Sequence, residues 1–415
     1  MFSDLQRDLN QCAALGLLRQ RRTLSSPQSP HIVVDGKHYL SFCSNDYLGL
    51  ANHPQLVAAL QQGAAQWGAG AGAAHLVCGH IEPHHRLEQE LAAFVGKPAA
   101  LLFSTGYMAN LGTVQALVGK GDTVFADKLN HASLNDAMLL SRAEVKRYRH
   151  SDMAQLAALL EQTKSGRKLV ITDAVFSMDG DLAPLPELLA LCEQHDAWLL
   201  ADDAHGFGVL GEQGRGSLFN SMPPIGQKEK GEGGREKGNN SAPSPSPLPP
   251  SPFPADSPRI IYMATLGKAA GVFGAFVAAE RVVIDTMVNH ARSYVYTTAT
   301  PPALACAVLE SLQLIGQGDA LREHLYKLIA RLRGGLAGLR WELMPSDTAI
   351  QPLLVGDNQA ALALSEGLRE RGIRVAAIRP PTVPQGTARL RITLSAAHSE
   401  NDVEQLIGAL HELAQ

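Results

Sequence analysis

The sequence has 415 residues, enough for two domains of roughly 100–200 residues each, and its 45% of hydrophobic residues can fill sizeable cores. A net charge of −4, from 36 basic and 40 acidic residues, gives no reason to expect nucleic acid or an anionic membrane surface as a partner. No run approaches the ~18 apolar residues of a membrane-spanning helix, and the first residues lack the pattern of a secretory signal. The five cysteines are far apart without a C-x-x-C pair, which indicates reduced thiols, so we expect a cytoplasmic enzyme.

Residues 1–45 predict an N-terminal arm, made of a helix and a short hairpin that turns at Asp35-Gly36. From about residue 98, short apolar runs alternate with segments of helical spacing. The apolar runs predict buried strands at residues 99–103, 123–126, 168–172, 198–201, 259–263 and 271–279. Helical segments between them include residues 108–118, 153–162 and 186–195. This alternation predicts a large α/β domain at residues 46–290, with a mostly parallel sheet sandwiched by helices.

The last third predicts a smaller α+β domain at residues 291–415. Its expected helices are residues 301–315, 320–339 and 401–414, and its expected strands are residues 350–355, 373–376 and 389–394. Residues 220–258 belong to neither pattern, because charged residues, Gly, Ser and Pro dominate there. This composition cannot bury enough apolar surface to offset the entropy lost on ordering. We therefore expect a disordered insertion, and an inert one is favoured over a docking segment for an SH3-like partner.

The apolar run at residues 198–201 ends in Asp202, and His205 follows three residues later. In parallel α/β sheets, ligands bind at the carboxyl ends of the strands. An acid at that position can pair with a cationic ring nitrogen, and the pyridine of pyridoxal 5′-phosphate (PLP) needs such a partner to act as an electron sink. A capped turn before a glycine-rich loop explains Asp202 and His205 equally well when they are considered alone.

Lys268 follows the next apolar run and precedes small residues that leave room for a flat cofactor. A partly desolvated lysine has a lowered pKa, so its amine can act as a nucleophile. A lone lysine after a strand is usually solvated, and Lys268 by itself is weak evidence. The order of strand, Asp202 and His205, followed by strand, Thr265 and Lys268, is more informative and predicts a Schiff base between Lys268 and PLP.

Residues 103–110 follow a strand and open a helix, where Gly106 allows a ligand to approach backbone N–H groups. This arrangement suits a phosphate, and an ordinary N-cap by Ser104 or Thr105 is the alternative. The segment fits neither the glycine motif for nucleoside triphosphates nor that for dinucleotides. His131 follows another predicted strand. It is either a ring stacked on a cofactor or a satisfied core histidine, and in isolation the second interpretation is favoured.

A short segment groups three histidines with two acids: His80, His84, His85, Glu82 and Glu88. The residue types suit a metal ion. Pro83 is expected to interrupt the helical spacing that a metal motif would use, so the sequence predicts no metal site.

Taken together and in this order, these motifs resemble the α-oxoamine synthase family of fold-type I PLP-dependent enzymes. The likeness extends from near Leu5 to the C-terminus and is interrupted by the insertion. Further matching blocks are residues 44–50, 175–181, 296–302 and 389–393. The family commonly has Ser followed by a basic residue or Gly where this chain has Ala74-His75. The resemblance implies a homodimer with sites at the interface, where Thr297 and Thr298 reach the phosphate of the neighbouring site.

The resemblance also implies how the cofactor is held. Lys268 would carry PLP and shuttle protons at the α-carbon of the amino acid. Asp202 would pair with the pyridine nitrogen, and His131 would stack on the ring. Contacts to the phenolic oxygen and the phosphate are implied for the remaining residues: His205, Ser177, Gly106, Tyr107 and Thr265. Catalytic roles are implied for Lys268, His131, Asp202 and His205.

Residues 350–358 and 377–384 look like the branch of the family that condenses L-alanine with a pimeloyl thioester, of coenzyme A or acyl-carrier protein, in biotin biosynthesis. The resemblance implies that Asn45 and Arg391 hold the amino-acid carboxylate, with His131 beside the substrate. Arg19 and Thr382 would contact the acyl substrate. A family member that uses glycine and a short acyl-CoA is one alternative. A catalytically silent scaffold or regulator is another, and the presence of Lys268, Asp202, His205 and His131 argues against it.

Overall fold

The N-terminal arm contains one helix and one hairpin in the computed structural model, which describes residues 2–19, 21–220 and 254–415. Helix α1 (Ser3–Ala14) precedes strands β1 (His31–Val34) and β2 (Lys37–Ser41), which pair antiparallel. The turn lies at Asp35-Gly36, as predicted, with φ values of 49° and 78°. Asp and Gly tolerate this left-handed backbone, which suits the twist of a two-residue hairpin.

A seven-stranded sheet forms the centre of the molecule. Its strands are β3 (Ala99–Phe103), β4 (Thr123–Asp127), β5 (Glu144–Tyr148), β6 (Lys168–Asp173), β7 (Trp198–Asp202), β8 (Ile260–Thr265) and β9 (Ala275–Ala279). Their order across the sheet is β3-β9-β8-β7-β6-β4-β5, and only β9 runs antiparallel to its neighbours. The predicted fold class, a mostly parallel sheet between helices, is confirmed.

Helices cover both faces of this sheet. They are α2 (Pro54–Trp67), α3 (Glu82–Phe94), α4 (Gly106–Leu117), α5 (Ala132–Ser141), α6 (Met153–Gln162), α7 (Leu185–Gln194), α8 (Arg281–His290) and α9 (Arg292–Val295). Alternate strand residues pack on opposite faces: Val170 joins the core under α3, α6 and α7, whereas Ile171 joins the core under α4, α5 and α8. Because both faces are buried, the central strands are apolar throughout and not alternating.

The C-terminal third forms a second layer of helices and a smaller sheet. Its elements are α10 (Pro302–Gly316), α11 (Asp319–Gly335), β10 (Glu342–Leu343), β11 (Ile350–Gly356), α12 (Asn358–Glu370), β12 (Ile373–Arg374), β13 (Ala376–Ile378), β14 (Ala388–Thr393) and α13 (Glu400–Ala414). Strands β10, β11, β14 and β13 form an antiparallel sheet. The single strand predicted at residues 373–376 divides, since β12 leaves this sheet and pairs with β2 of the arm.

The predicted disordered insertion falls mainly on residues 221–253, which lie outside the described residues. Within the described ranges, no helix combines the length and the apolar character needed to cross a membrane.

His150 connects the central sheet to the hairpin at residues 174–183. Its Nδ1 lies 3.2 Å from both carboxylate oxygens of Asp127, and its Nε2 lies 2.7 Å from Asp181 Oδ2. Burial opposes the charged ring, but hydrogen bonds to the two carboxylates outweigh burial and raise the pKa of His150 to about 10. The ring is therefore protonated at neutral pH, and its charge neutralises part of the negative charge of Asp127 and Asp181.

Replacing His150 with Gln is expected to lower the free energy of unfolding by on the order of 2 kcal/mol at neutral pH, because two carboxylates lose their shared cation. The folded pKa lies above the unfolded value of 6.5, so this stabilisation is complete below pH 6.5 and is lost as the pH rises through about 10. Urea unfolding across this window should show a declining stability in the wild type and a smaller decline in the variant. Equal pH slopes for the two proteins would contradict the assignment.

Candidate active site

The carboxyl ends of the parallel strands converge on one cavity of about 210 Å³. Strands β6, β7 and β8 end there in register, with Asp173 beside Asp202 and Asp202 beside Met263. The cavity gathers seven residues that the sequence singles out: Gly106, Tyr107, His131, Asp202, His205, Thr265 and Lys268. They come from four separate segments, so the topology of the sheet brings them together.

Lys268 lies on the tight loop between β8 and β9. The loop is closed by backbone hydrogen bonds from Leu266 N to Gly274 O and from Gly271 N to Lys268 O, both 2.8 Å long. The Lys268 amine lies 2.8 Å from Nε2 of His205. Burial lowers the pKa of Lys268 to about 8, against the attraction of Asp202 and Asp173. About a tenth of this amine is therefore uncharged at pH 7 and can attack a carbonyl carbon.

A chain of hydrogen bonds runs from Lys268 to Arg391. Nδ1 of His205 lies 2.5 Å from the Tyr47 hydroxyl, which lies 3.3 Å from Oδ1 of Asn45. Arg391 donates from Nη1 to the same Asn45 oxygen over 3.0 Å. Burial lowers the pKa of His205 well below its ordinary value, so its ring is neutral. The chain couples the reactive amine to a guanidinium that is suited to binding a carboxylate.

Asp202 is tied to His131 through two intermediate side chains. Asn110 donates from Nδ2 to Asp202 Oδ2 over 2.7 Å and to Ser133 Oγ over 2.8 Å. Ser133 Oγ in turn lies 2.8 Å from Nδ1 of His131. The other Asp202 oxygen accepts from the Ala204 N–H over 3.0 Å. Both carboxylate oxygens are thus fixed, and Asp202 and His131, both predicted to contact the pyridine ring, belong to one network.

Asp173 is a second buried acid in the cavity, and the sequence did not single it out. Its Oδ2 accepts from the His131 N–H over 2.6 Å. Burial, together with the neighbouring Asp202, raises the pKa of Asp173 well above its ordinary value. Asp173 is consequently suited to hold a proton, because two adjacent buried carboxylates do not readily share two charges.

The phosphate position predicted at residues 103–110 is the start of α4. Thr105 caps this helix, since its side chain accepts from Met108 N over 3.2 Å, so the alternative N-cap interpretation also describes the structure. Gly106 begins the helix beside Met263 and Thr265, and a Cβ there would meet both at 3.8–3.9 Å. Tyr107 is 42% exposed, and its hydroxyl bonds Asp136. Gly106 and Tyr107 begin the helix, where backbone N–H groups have no partner within the helix, and both residues line the cavity. This arrangement suits a phosphate.

The remaining predicted residues lie around this cavity without lining it. Ser177 accepts at its backbone oxygen from Arg391 Nε over 2.6 Å. Asn45 and Lys268 line a neighbouring cavity of about 410 Å³ that extends to Arg374. Arg19 donates to Thr382 Oγ1 over 3.3 Å at an exposed position, and neither residue lines either cavity. The structure thus pairs Arg19 with Thr382 but does not place them against Lys268.

Capture of PLP by the apoprotein is expected to accelerate as the pH rises, with a midpoint near 8. The reason is that burial lowers the pKa of Lys268 to about 8 and only the uncharged amine attacks the PLP aldehyde. Stopped-flow absorbance after mixing apoprotein with PLP measures this rate. A lysine peptide titrated in parallel corrects for ionisation of PLP itself. A midpoint above about 10, the ordinary range of lysine, would show that the amine is solvated.

Three features line the same cavity: a lysine on a loop after a central strand, an acid held at the end of the neighbouring strand, and the start of a helix. Together they define a PLP-dependent enzyme of fold type I. The family of class I and II aminotransferases matches residues 37–410. A structure of a variant of serine palmitoyltransferase from S. paucimobilis with a bound PLP–myriocin aldimine superimposes with a TM-score of 0.85 at 27% identity, covering 99% of this chain and 96% of that one.

Two curated relatives show which group within this family the chain belongs to. The protein from Nitrosomonas europaea is 57% identical over 415 residues, which is the full length of both chains. The protein from Nitrosospira multiformis is 59% identical over 397 residues, covering 96% of this chain and 92% of the relative. Both are named 8-amino-7-oxononanoate synthase. The chain belongs to the class I and II aminotransferase family and, within it, to the 8-amino-7-oxononanoate synthases. It is a PLP-dependent enzyme of the acyltransferase type, as the sequence predicted.

Proposed function

We propose that this enzyme condenses L-alanine with a pimeloyl thioester, with loss of carbon dioxide, to make 8-amino-7-oxononanoate for biotin biosynthesis. The observation that carries the proposal is the 57% identity, over the full length of both chains, to a relative named 8-amino-7-oxononanoate synthase. The cavity at Lys268 supports it, because a nucleophilic amine and a fixed acid line it together. A chain of hydrogen bonds connects this amine to the guanidinium of Arg391.

The residues of the cavity fit PLP. Asp202 is aimed by Asn110 and the Ala204 N–H, and we assign it to the pyridine nitrogen. Burial lowers the pKa of His131, and a neutral imidazole can stack on a ring without the cost of burying a charge. We assign the phosphate to Gly106, Tyr107 and Thr265, which line the cavity. We assign the phenolic oxygen to His205, which also lines it, and to Ser177, which lies beside the cavity and is bonded to Arg391 through its backbone oxygen. PLP, when bound, supplies an electron sink for the α-carbon of the amino acid.

Lys268 has two proposed tasks. Its uncharged amine holds the cofactor covalently before the substrate arrives. Once the substrate has displaced it, the same amine removes a proton from the substrate α-carbon and later returns one. A pKa lowered to about 8 by burial suits both directions of transfer, because a base and its conjugate acid are then both populated near neutral pH. His205, 2.8 Å away, orients the amine.

Arg391 and Asn45 are the proposed clamp for the alanine carboxylate. Arg391 is buried and held by Ser177 O, Thr393 Oγ1 and Asn45 Oδ1, so its guanidinium has a fixed orientation. The adjoining cavity of about 410 Å³ begins at Asn45 and Lys268 and provides room for an acyl chain. We assign contacts with the acyl substrate to Arg19 and Thr382, which requires the substrate to extend beyond this cavity.

We further propose a cytoplasmic homodimer whose second copy contributes Thr297 and Thr298 at the phosphate. The exposure of Tyr296, the residue before Thr297 in the chain, is consistent with this arrangement, since its large side chain is 73% exposed. The acyl carrier is either coenzyme A or acyl-carrier protein.

Purified holoenzyme should be assayed by mass spectrometry with L-alanine and either pimeloyl-CoA or pimeloyl-acyl-carrier protein. The expected product is 8-amino-7-oxononanoate, and comparison of kcat/KM for the two thioesters identifies the carrier. Glycine with acetyl-CoA is the competing pair. Higher kcat/KM for that pair would overturn the substrate assignment, and an inactive protein that still binds PLP would favour a scaffold. Complementation of a biotin-requiring strain that lacks this step, with Lys268→Ala as the control, tests the pathway.

A further inference from the structure

A second cluster of chemically reactive side chains lies at the start of α3. It contains His75, His80, His84, His85 and Glu88. None of the five lines either cavity at Lys268, so the proposed reaction leaves them without a task. Two overlapping groups have donor atoms within 4.8 Å of one another, namely His75 with His80 and His84, and His80 with His85 and Glu88.

The sequence argument against a metal at this place depended on Pro83, and its premise is wrong. Pro83 occupies the first turn of α3 (Glu82–Phe94), where proline is compatible with a helix because its missing N–H would have no partner there. His85 and Glu88 therefore lie on one continuous helix at spacing i, i+3, which places their side chains on the same face.

His84 is already fully used by the backbone. Its Nδ1 accepts from the Ile81 N–H over 3.1 Å, which places the proton on Nε2. Nε2 then donates to Thr300 O over 2.8 Å. A metal ion at His84 would have to break one of these bonds, so His84 is a structural residue and the first group is reduced to two ligands.

His80 is oriented differently, with one ring nitrogen held and the other available. Its Nδ1 lies 3.0 Å from Nδ1 of His75, whose ring stacks on Tyr294 at 5.0 Å between centroids. A proton on Nδ1 of His80 satisfies this contact and leaves a lone pair on Nε2. Metal-binding histidines are usually fixed in this way by a hydrogen bond from their other nitrogen.

Nε2 of His80 faces Glu88, with 3.9 Å between Nε2 and Oε2. This distance is too long for a hydrogen bond and close to the ~3.4 Å that separates two ligands of one tetrahedral zinc ion. The other oxygen, Oε1 of Glu88, accepts from Leu102 N over 3.0 Å, which aims Oε2 at the histidines. Side-chain exposures of 29% for His80 and 13% for Glu88 give a site that solvent can reach.

We propose that His80, His85 and Glu88 form a binding site for a divalent transition-metal ion, with Zn²⁺ as the best match to two imidazoles and one carboxylate. His75 positions His80 through the Nδ1 contact. His85 and Glu88 line a cavity of about 300 Å³, which leaves room for water as a fourth ligand. In the structure, Gln89 donates to Nε2 of His85 over 3.1 Å, an exposed contact that the ion can displace at small cost.

The ligand types decide the kind of ion that this cluster accepts. Two cations, Lys97 and Arg281, border the same cavity and repel every divalent ion alike. Two imidazoles and one carboxylate suit Zn²⁺, whereas Ca²⁺ and Mg²⁺ prefer oxygen ligands, of which the cluster offers one carboxylate. The site therefore favours Zn²⁺ over the hard ions.

Metal-free holoenzyme should be titrated with Zn²⁺ by calorimetry, alongside His85→Gln, Glu88→Gln, His75→Phe and the control His290→Gln. His290 is an exposed histidine at the end of α8 and outside the cluster. The wild type and the control should bind a single tight Zn²⁺ per chain. Binding should weaken by about 100-fold in the two ligand variants and by about 10-fold in His75→Phe, which keeps an aromatic ring against Tyr294. Mg²⁺ should not compete.

A crystal of the zinc-loaded holoenzyme, with anomalous data collected at the zinc edge, locates the ion directly. The expected peak lies between His80 Nε2, His85 and Glu88 Oε2. The proposal is overturned if wild type and His85→Gln bind Zn²⁺ equally, if His290→Gln is as impaired as the ligand variants, or if the peak lies at the cofactor. Activity with alanine does not enter this test, so its outcome is independent of the proposed reaction.

Discussion

Replacing Lys268 with Ala is expected to reduce turnover by about 10³-fold or more, because the variant loses both its cofactor-holding amine and its proton carrier. The amine lies 2.8 Å from His205. Of the other titratable residues in the cavity, we assign Asp202 to the pyridine nitrogen and His131 to the ring face, so neither replaces the amine. The visible absorbance of covalently held PLP should disappear, while PLP should still bind through the remaining cavity residues. Steady-state kinetics and absorbance spectra measure both effects.

Lys97 offers a matched control. Burial lowers the pKa of Lys97 to about 8, the same value as for Lys268, yet its amine donates to Ser257 O and lines a different cavity. Lys97→Met should therefore keep the visible absorbance and most of the activity. If Lys268→Ala retained more than about a hundredth of wild-type turnover, or if Lys97→Met lost the absorbance, the assignment of the reactive lysine would be refuted.

The residues that sequence reasoning could predict are those that follow a buried strand. Asp202 directly follows one apolar run, and Lys268 lies on the loop that follows the next strand, β8. The carboxyl ends of parallel strands meet at one edge, so their proximity follows from the pattern. Tyr47 gives no such signal. It bonds His205 across 158 positions of sequence, and the contact depends on how the segment after β2 packs against the end of β7.

Asn110 and Asp173 were missed for related reasons. Asn110 lies inside α4, where a polar side chain usually faces solvent, and only the packing of α4 against α5 buries it beside Ser133. Asp173 ends β6 in the same way that Asp202 ends β7, and the strand-end rule applied to it would have found it. Strand β5 was not predicted because it lies at the edge of the sheet and carries the charged residues Glu144 and Arg147, so it does not form an apolar run.

The second large effect is expected for Asp202→Asn, which keeps the shape of the side chain and removes its charge. An amide cannot stabilise a protonated pyridine nitrogen, so the cofactor becomes a weaker electron sink. Loss of one partner of a buried charge pair costs about 2–5 kcal/mol, which predicts a fall in kcat of roughly 30- to 5,000-fold. PLP should remain covalently attached, since Lys268 is unchanged. Its visible absorbance should titrate at a different pH from that of the wild type.

Asn110→Ala separates a positioning role from a structural one. Asn110 fixes Oδ2 of Asp202 over 2.7 Å, so its loss should lower kcat by about 10-fold through a misdirected carboxylate. KM for alanine should hardly change, because the proposed carboxylate clamp at Arg391 is separate. The absorbance titration should shift in the same direction as in Asp202→Asn. Asn289→Ala, at an exposed amide that donates to Asp285 O, serves as the control and should change neither.

The double variant provides the decisive comparison. If Asn110 acts through Asp202, its removal should have little further effect once Asp202 is Asn, and the two changes in activation free energy should not add. Additive losses would mean that Asn110 supports the fold or the Ser133–His131 contact independently of Asp202. Thermal unfolding of the apoproteins, where PLP cannot mask a loss of packing, distinguishes these two cases. The cycle therefore tests whether the end of β7 is aimed at the cofactor by a residue of α4, as the hydrogen bonds of this cavity indicate.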